Sequence, residues 1–211
     1  PEKKHRWSEA HEIGHSLLPW HEDVMLGDNR HTLLPSCQDE IEAEANFAAG
    51  RLLFLRDRFE SEALAAAPTI ANIQSLKGVF GNTISSTLWR FVEVAGRDRP
   101  IVGMITCHPN SMRRPADFNP KEPCRHCIQS PAFAAHFGRV TESELFEAIA
   151  QYCSSKRGGD LGSDEIVLRD DNGAEHVFLF ESFFIRYKAP GVGEALTLGV
   201  YQRPKFVTLA V

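Results

Sequence analysis

The chain has 211 residues, a formal net charge of −5 and a pI of about 6.0. A hydrophobic content of 43% and a charged content of 24% are ordinary for a globular protein. The acidic balance gives no general electrostatic basis for nucleic-acid binding, so direct binding to DNA or RNA is not expected. No apolar run approaches the roughly 20 residues of a membrane-spanning helix, and we expect no membrane partner. Five irregularly spaced cysteines do not indicate a disulfide framework, and no signal peptide opens the sequence. We therefore expect a cytoplasmic protein.

The first half of the chain is predicted to be helical. Ser36 and Asp39 form a start signal of the capping-box type, Pro68 breaks an alanine-rich run, and Gly81 separates the last two helices. The last two helices also have the outline of a helix-turn-helix. The predicted helices cover 6–19, 39–54, 60–67, 69–80 and 83–94.

The second half is predicted to be mixed. A strand is expected over 101–106 and a helix over 141–153, which Thr141 and Glu144 begin as a capping pair. Asp171-Asn172-Gly173 is typical of a hairpin turn. Further strands are expected over 165–168, 175–185 and 195–203.

These elements suggest three segments. Residues 1–108 would form the catalytic core with the following helix pair, 109–131 a linker rich in Pro, Arg and Asn, and 132–211 a small α+β domain with a sensory role as one possibility.

His11-Glu12-Ile13-Gly14-His15 is an HExxH motif on the first predicted helix. Residues i and i+4 share a helix face, so the two imidazoles can reach one Zn²⁺ ion at about 2.0–2.1 Å. Glu12 lies about 100° round the helix, where it can act as the general base toward a water molecule. The alternative is a chance match on an ordinary helix, so the motif requires a third ligand to become specific.

Glu42 is the candidate third ligand. On the second predicted helix it falls within the apolar arc, where an unpaired carboxylate is costly, whereas Glu40, Glu44 and Arg51 fall on the opposite side. The alternative is a carboxylate that pairs with an arginine at the edge of the apolar face. The apolar arc consists of Ile41, Ala45, Ala48, Ala49, Leu52 and Leu53.

Three further residues are candidates around this site. Asn46 lies one turn after Glu42 and could hydrogen-bond a ligand, although a surface asparagine fits the pattern equally. His21 and His31, between the two helices, could donate a hydrogen bond to a developing oxyanion, although ordinary surface histidines are the simpler interpretation.

The two motifs together resemble the ImmA/IrrE metallopeptidases. In that family a second motif that begins with a glutamate opens the helix after HExxH, and here Glu42-Ala43-Glu44-Ala45-Asn46-Phe47-Ala48-Ala49 begins 27 residues after His15. The resemblance covers about residues 5–95 and implies that Glu42 is the third zinc ligand. Trp89–Glu93, after the turn at Phe80-Gly81, is similar to the helices that follow the peptidase core.

The resemblance implies a bacterial, phage or mobile-element zinc endopeptidase. Members cleave a helix-turn-helix repressor and so derepress stress-response or mobile-element genes. The implied fold is α+β, with a gluzincin-like helical HExxH core followed by a helix-turn-helix-like pair and a smaller α+β C-terminal domain. Because only about ten residues precede the motif, the core is expected to be truncated at its N terminus.

Other interpretations remain open at this stage. A non-catalytic regulatory module with a sensor-like C-terminal domain would retain the metal site without hydrolysis. Thr69–Val94 could read DNA, although its second helix offers only Arg90 as an obvious base-reading side chain. Cys124 and Cys127 form a CxxC that would need Cys107 and His108 to complete a structural zinc site; free cysteines are the simpler interpretation.

Overall fold

The computed structural model describes residues 2–21, 35–187 and 193–205. Within these ranges, a five-stranded sheet carries helices on both faces. A pair of helices at the start of the chain packs side by side.

All five helices predicted before the first strand are present, but the first three begin three or four residues earlier than predicted, and Ser36 lies inside the second helix instead of starting it. Thr69 and Thr83 begin two of them by accepting hydrogen bonds from the backbone N–H groups three residues later, and Gly81 ends the first of these two at a φ of 66°. In the described part of the chain these helices are α1 (Glu2–Leu17), α2 (Pro35–Leu53), α3 (Asp57–Ala65), α4 (Ile70–Phe80) and α5 (Ile84–Ala95).

The remaining elements build one antiparallel sheet. Its strand order is β2-β1-β5-β4-β3, and the hairpin between β3 and β4 turns at Gly173, which has a φ of 87°. A short 3-10 turn spans Ser111–Arg113. The strands are β1 (Ile101–Thr106), β2 (Cys124–Gln129), β3 (Gly159–Arg169), β4 (Glu175–Arg186) and β5 (Gly193–Pro204), with helices α6 (Pro131–His136) and α7 (Glu142–Tyr152) between β2 and β3.

The sheet is covered on both faces, and strand β1 contributes side chains to both in alternation. Ile101 and Ile105 of β1 join a hydrophobic cluster with α3, α4 and α5, whereas Val102 and Met104 join a second cluster with α6 and α7. Successive side chains of a strand point to opposite faces, so each face receives its own core. The arrangement is therefore helix layer, sheet, helix layer.

The fold class expected from the sequence, a gluzincin-like helical core followed by a smaller C-terminal domain, is wrong. There is no separate helical core followed by a smaller domain in the described residues, because β1 pairs with β5 and with β2. The segment 109–131, expected to be a linker, contains the 3-10 turn and all of β2. The correct description is an α+β fold around one antiparallel sheet, and the gluzincin-like description does not apply to it.

The helix pair α4–α5 packs against the sheet. The buried side chains Leu88, Phe91 and Val92 of α5 pack in the cluster on the sheet. Arg90 pairs with Glu93 on its own helix at 3.2 Å. The apolar pattern in the sequence predicted two helices that pack together. In the structure both also pack against the sheet.

Helices α1 and α2 pack closely because a glycine faces an alanine. A Cβ atom built on Gly14 would lie 2.7 Å from the backbone oxygen of Ala45, so only glycine allows this approach. Outside the contact, Ile13, Leu17 and Phe47 are exposed. No helix among the described residues combines the length and apolar character needed to cross a bilayer.

Candidate metal centre

The HExxH face of α1 meets the first glutamate of the second motif on α2. His11 Nε2 lies 3.1 Å from His15 Nε2 and 3.1 Å from one carboxylate oxygen of Glu42. His15 Nε2 lies 3.9 Å from the other Glu42 oxygen. Ligand atoms from these residues all fall within 4.8 Å of one another. The structure thus brings together the three residues that the sequence nominated as ligands.

These distances fit a tetrahedral zinc site. Ligand bonds of about 2.0–2.1 Å at tetrahedral angles place neighbouring ligand atoms roughly 3.3 Å apart. The separations of 3.1, 3.1 and 3.9 Å scatter around that value. Two histidines and one glutamate are also the ligand set of catalytic zinc sites that leave one position open.

If the imidazoles are neutral, the contacts on their far sides favour one tautomer for each ring. His11 Nδ1 lies 3.1 Å from the Asn46 side-chain oxygen, which can only accept, so Nδ1 carries the proton. His15 Nδ1 lies 3.0 Å from His21 Nδ1. His21 Nε2 in turn lies 2.8 Å from a Glu44 carboxylate oxygen, so its proton is on Nε2 and its Nδ1 accepts from His15.

It follows that two nitrogen lone pairs face each other. With both protons on the Nδ1 atoms, His11 Nε2 and His15 Nε2 have none to share across 3.1 Å. With both imidazoles neutral, such a contact is repulsive unless a proton or a metal cation lies between the nitrogens. The group is therefore a candidate metal site.

The electrostatics of His15 favour the neutral form that a metal requires. Burial lowers the pKa of His15, and the neighbouring His11 lowers it further, while the charges of Glu42 and Glu12 oppose this shift. The Glu12 side chain itself is exposed, as a group that must meet a substrate requires.

The interpretation of His21 as a surface histidine is wrong. Its side chain is fully buried, and both ring nitrogens are engaged by His15 and Glu44, so it is not available as an oxyanion donor. Sequence reasoning missed this role because His21 lies beyond Pro19 and follows no helical spacing from His15. Asn46, by contrast, contacts a ligand as expected. His31 lies outside the described residues.

Glu44 lies on the exposed side of α2, as its helix angle suggested, and its carboxylate accepts two hydrogen bonds. One of its oxygens accepts hydrogen bonds from His21 at 2.8 Å and from Trp20 Nε1 at 2.6 Å. These hydrogen bonds lower the pKa of the Glu44 carboxyl, with that from His21 the larger effect.

The CxxC pair does not form the four-ligand zinc site considered from the sequence. His108 Nε2 donates to the Lys156 carbonyl at 2.8 Å, and its Nδ1 accepts from the Asn110 backbone N–H at 3.2 Å. No ring nitrogen of His108 is therefore left for a metal. Burial raises the pKa of Cys127 to about 12 and raises that of Cys124 as well, so both thiols remain protonated near neutral pH.

Comparison with known proteins informs the fold alone. No protein-family model matches the chain, and no curated protein matches it with statistical significance. Among solved structures, a Mycobacterium tuberculosis transcriptional regulator is similar over 93% of this chain, with a TM-score of 0.52 and 17% identity. This chain spans 56% of that protein. The similarity runs through the sheet and both groups of helices, and this again argues against a self-contained helical core.

Proposed function

We propose that the chain is a zinc-dependent endopeptidase in which His11, His15 and Glu42 hold the metal and Glu12 is the general base. The pair of facing Nε2 lone pairs, with a carboxylate oxygen 3.1 Å from one of them, carries the proposal. That arrangement suits a metal cation, and its ligand set is one that hydrolytic zinc sites use.

The chain's own residues supply the remaining chemistry. A bound zinc ion acts as a Lewis acid that polarises a peptide carbonyl and lowers the pKa of water. Glu12 accepts the proton of the attacking water on its carboxylate and returns it to the leaving amine. Asn46 and His21 hold the two imidazoles so that each Nε2 faces the metal.

The proposed substrate is a helix-turn-helix transcriptional repressor, whose cleavage would derepress stress-response or mobile-element genes. This part rests on the resemblance of the two motifs to the ImmA/IrrE metallopeptidases. A cytoplasmic location follows from the same proposal, since the repressor and its operator are there.

Zinc content and cleavage test the proposal together. The purified wild type should carry about one zinc per chain, Glu42→Ala should lose it, and Glu40→Ala, an exposed neighbour on α2, should keep it. Glu12→Gln should retain zinc and lose cleavage of a repressor encoded beside this gene. Zinc that is retained in Glu42→Ala would overturn the metal site.

A second candidate is a regulatory module without catalysis. It is favoured by the similarity to a transcriptional regulator over most of the chain. In that case Glu12→Gln would change nothing, whereas removal of zinc would alter the binding of a partner. Cleavage by the wild type that is absent from Glu12→Gln would exclude this alternative.

A further inference from the structure

His21, which is buried, and Glu44, which is exposed, form a line of hydrogen bonds that begins at His15. His21 follows α1 after Pro19, which has no backbone N–H and so favours an end to the helix at Leu17. A further helical turn, in which the His21 N–H donates to the Leu18 carbonyl at 2.9 Å, returns the His21 ring to His15. The ring centroids of the two histidines are 5.0 Å apart.

Both ring nitrogens of His21 have hydrogen-bond partners, as is expected of a buried imidazole. None of its side chain is exposed, and its two nitrogens contact His15 at 3.0 Å and Glu44 at 2.8 Å. The same Glu44 oxygen also accepts from Trp20, so two donors hold the carboxylate in one orientation. Glu44 is on α2 and His15 on α1, so the chain of hydrogen bonds spans both helices.

For a neutral His21, the carboxylate at one end sets the direction of these hydrogen bonds. An ionised carboxylate only accepts, so a neutral His21 presents its Nε2–H to Glu44 and a lone pair to His15. His15 must then present its own Nδ1–H, which leaves its Nε2 lone pair for the metal. Metal-ligating histidines commonly donate their second N–H to a carboxylate or carbonyl; here a second imidazole is interposed.

We propose that Glu44 and His21 form a positioning relay that orients the His15 ring and directs its Nε2 toward the metal. The inference rests on the proposed zinc site and adds two residues to it that touch neither metal nor substrate. Loss of either residue should leave His15 able to turn or to adopt the other tautomer, and the bound metal should then be held less tightly.

Zinc affinity at a single pH tests the relay. Competition with a chromophoric chelator at pH 7.5 should give a dissociation constant that rises about 10- to 100-fold in His21→Ala and in Glu44→Ala. Glu44→Gln retains an oxygen acceptor for the His21 N–H and should recover part of the loss. Glu40→Gln, on the exposed face of the same helix, is the matched control and should equal wild type.

A spectroscopic measurement separates positioning from a general structural effect. With Co²⁺ in place of zinc, the visible d–d bands should shift in Glu44→Ala and return toward wild type in Glu44→Gln. Glu44 is about half exposed, so this variant should fold even if the cavity left by His21→Ala prevents folding. Wild-type affinity and spectrum in Glu44→Ala, with zinc lost in Glu42→Ala, would overturn the relay alone.

Unchanged zinc content in Glu42→Ala would overturn the metal site and the relay together. Tight zinc binding without cleavage would overturn only the peptidase function.

Discussion

Around the sheet, two clusters of large apolar side chains lie on opposite faces and include Phe91, Phe133, Phe146 and Phe178, all essentially inaccessible to solvent. The buried apolar side chains within the described parts of α1 and α2 are Ala10, Ile41, Ala45 and Ala49. A large aliphatic or aromatic side chain contributes about 1.5–3 kcal/mol when it is buried, and alanine far less. The sheet is thus stabilised by apolar burial, while the helix pair depends on a close backbone contact and on the polar groups of the metal centre.

Truncating a core side chain of the sheet should have the largest effect. Phe178→Ala removes a fully buried ring and should lower the free energy of unfolding by about 3–5 kcal/mol. Urea unfolding followed by circular dichroism measures the change. Val167→Ala, on a 41% exposed side chain of β3, is the control and should stay within about 0.5 kcal/mol.

Zinc should stabilise the helix pair selectively. Free zinc at about 100 times its dissociation constant stabilises the state that contains the intact site by about 2.7 kcal/mol, relative to states that do not bind zinc. Hydrogen exchange of the α1 and α2 amides should slow on zinc addition, while amides of β1 and β5 stay unchanged. Equal slowing of exchange in both regions would contradict the proposed difference between the helix pair and the sheet. Glu42→Ala should abolish the effect of zinc on exchange.

Gly14→Ala should separate the two helices. The added methyl group would lie 2.7 Å from the Ala45 backbone oxygen, so the helices must shift, at a cost of about 1–3 kcal/mol and with weaker zinc binding. Gly50→Ala, with nothing within 4 Å of the added atom, should be neutral or stabilising by up to about 1 kcal/mol. Calorimetry and zinc titration of both variants measure the difference.

The smallest effect is expected at the start of α7, on the sheet side of the molecule. Thr141 and Glu144 form a capping box, and hydrogen bonds from the Thr141 backbone and hydroxyl lower the pKa of the Glu144 carboxyl. Thr141→Ala should cost about 1 kcal/mol at pH 7.

The sign of the accompanying pH dependence follows from that lowered pKa. Because the folded-state value lies below the unfolded one, this contribution is present at neutral pH and is lost as the pH falls through the folded pKa. Thr141→Ala keeps the backbone N–H and should remove only the hydroxyl's share of that acid sensitivity, whereas Ser143→Ala, beside it and outside the capping box, should retain both shares.

Local structure was predictable from the sequence because local rules govern it. Thr69, Thr83 and Thr141 begin helices as their side chains suggested, and Asn172-Gly173 turns the hairpin. The three nominated ligands also meet, since a helical repeat determines which residues share a face.

The topology was not predictable in the same way. Nothing local indicates that β1 pairs with a strand more than 90 residues later, or that Cys124–Gln129 continues the sheet inside a segment rich in turn-forming residues. The role of His21 was equally hidden, because it depends on a turn after Pro19 and on contact with a second helix.

The position of β5 has a consequence for how the molecule assembles. The last strand among the described residues occupies the middle of the sheet, between the β1–β2 pair and the β3–β4 hairpin. During synthesis, β1 and β4 each expose an unpaired edge until β5 leaves the ribosome, and such edges invite pairing with other chains. Sheet completion is therefore a late, non-local event, which slows folding and makes nascent chains that lack β5 prone to aggregate.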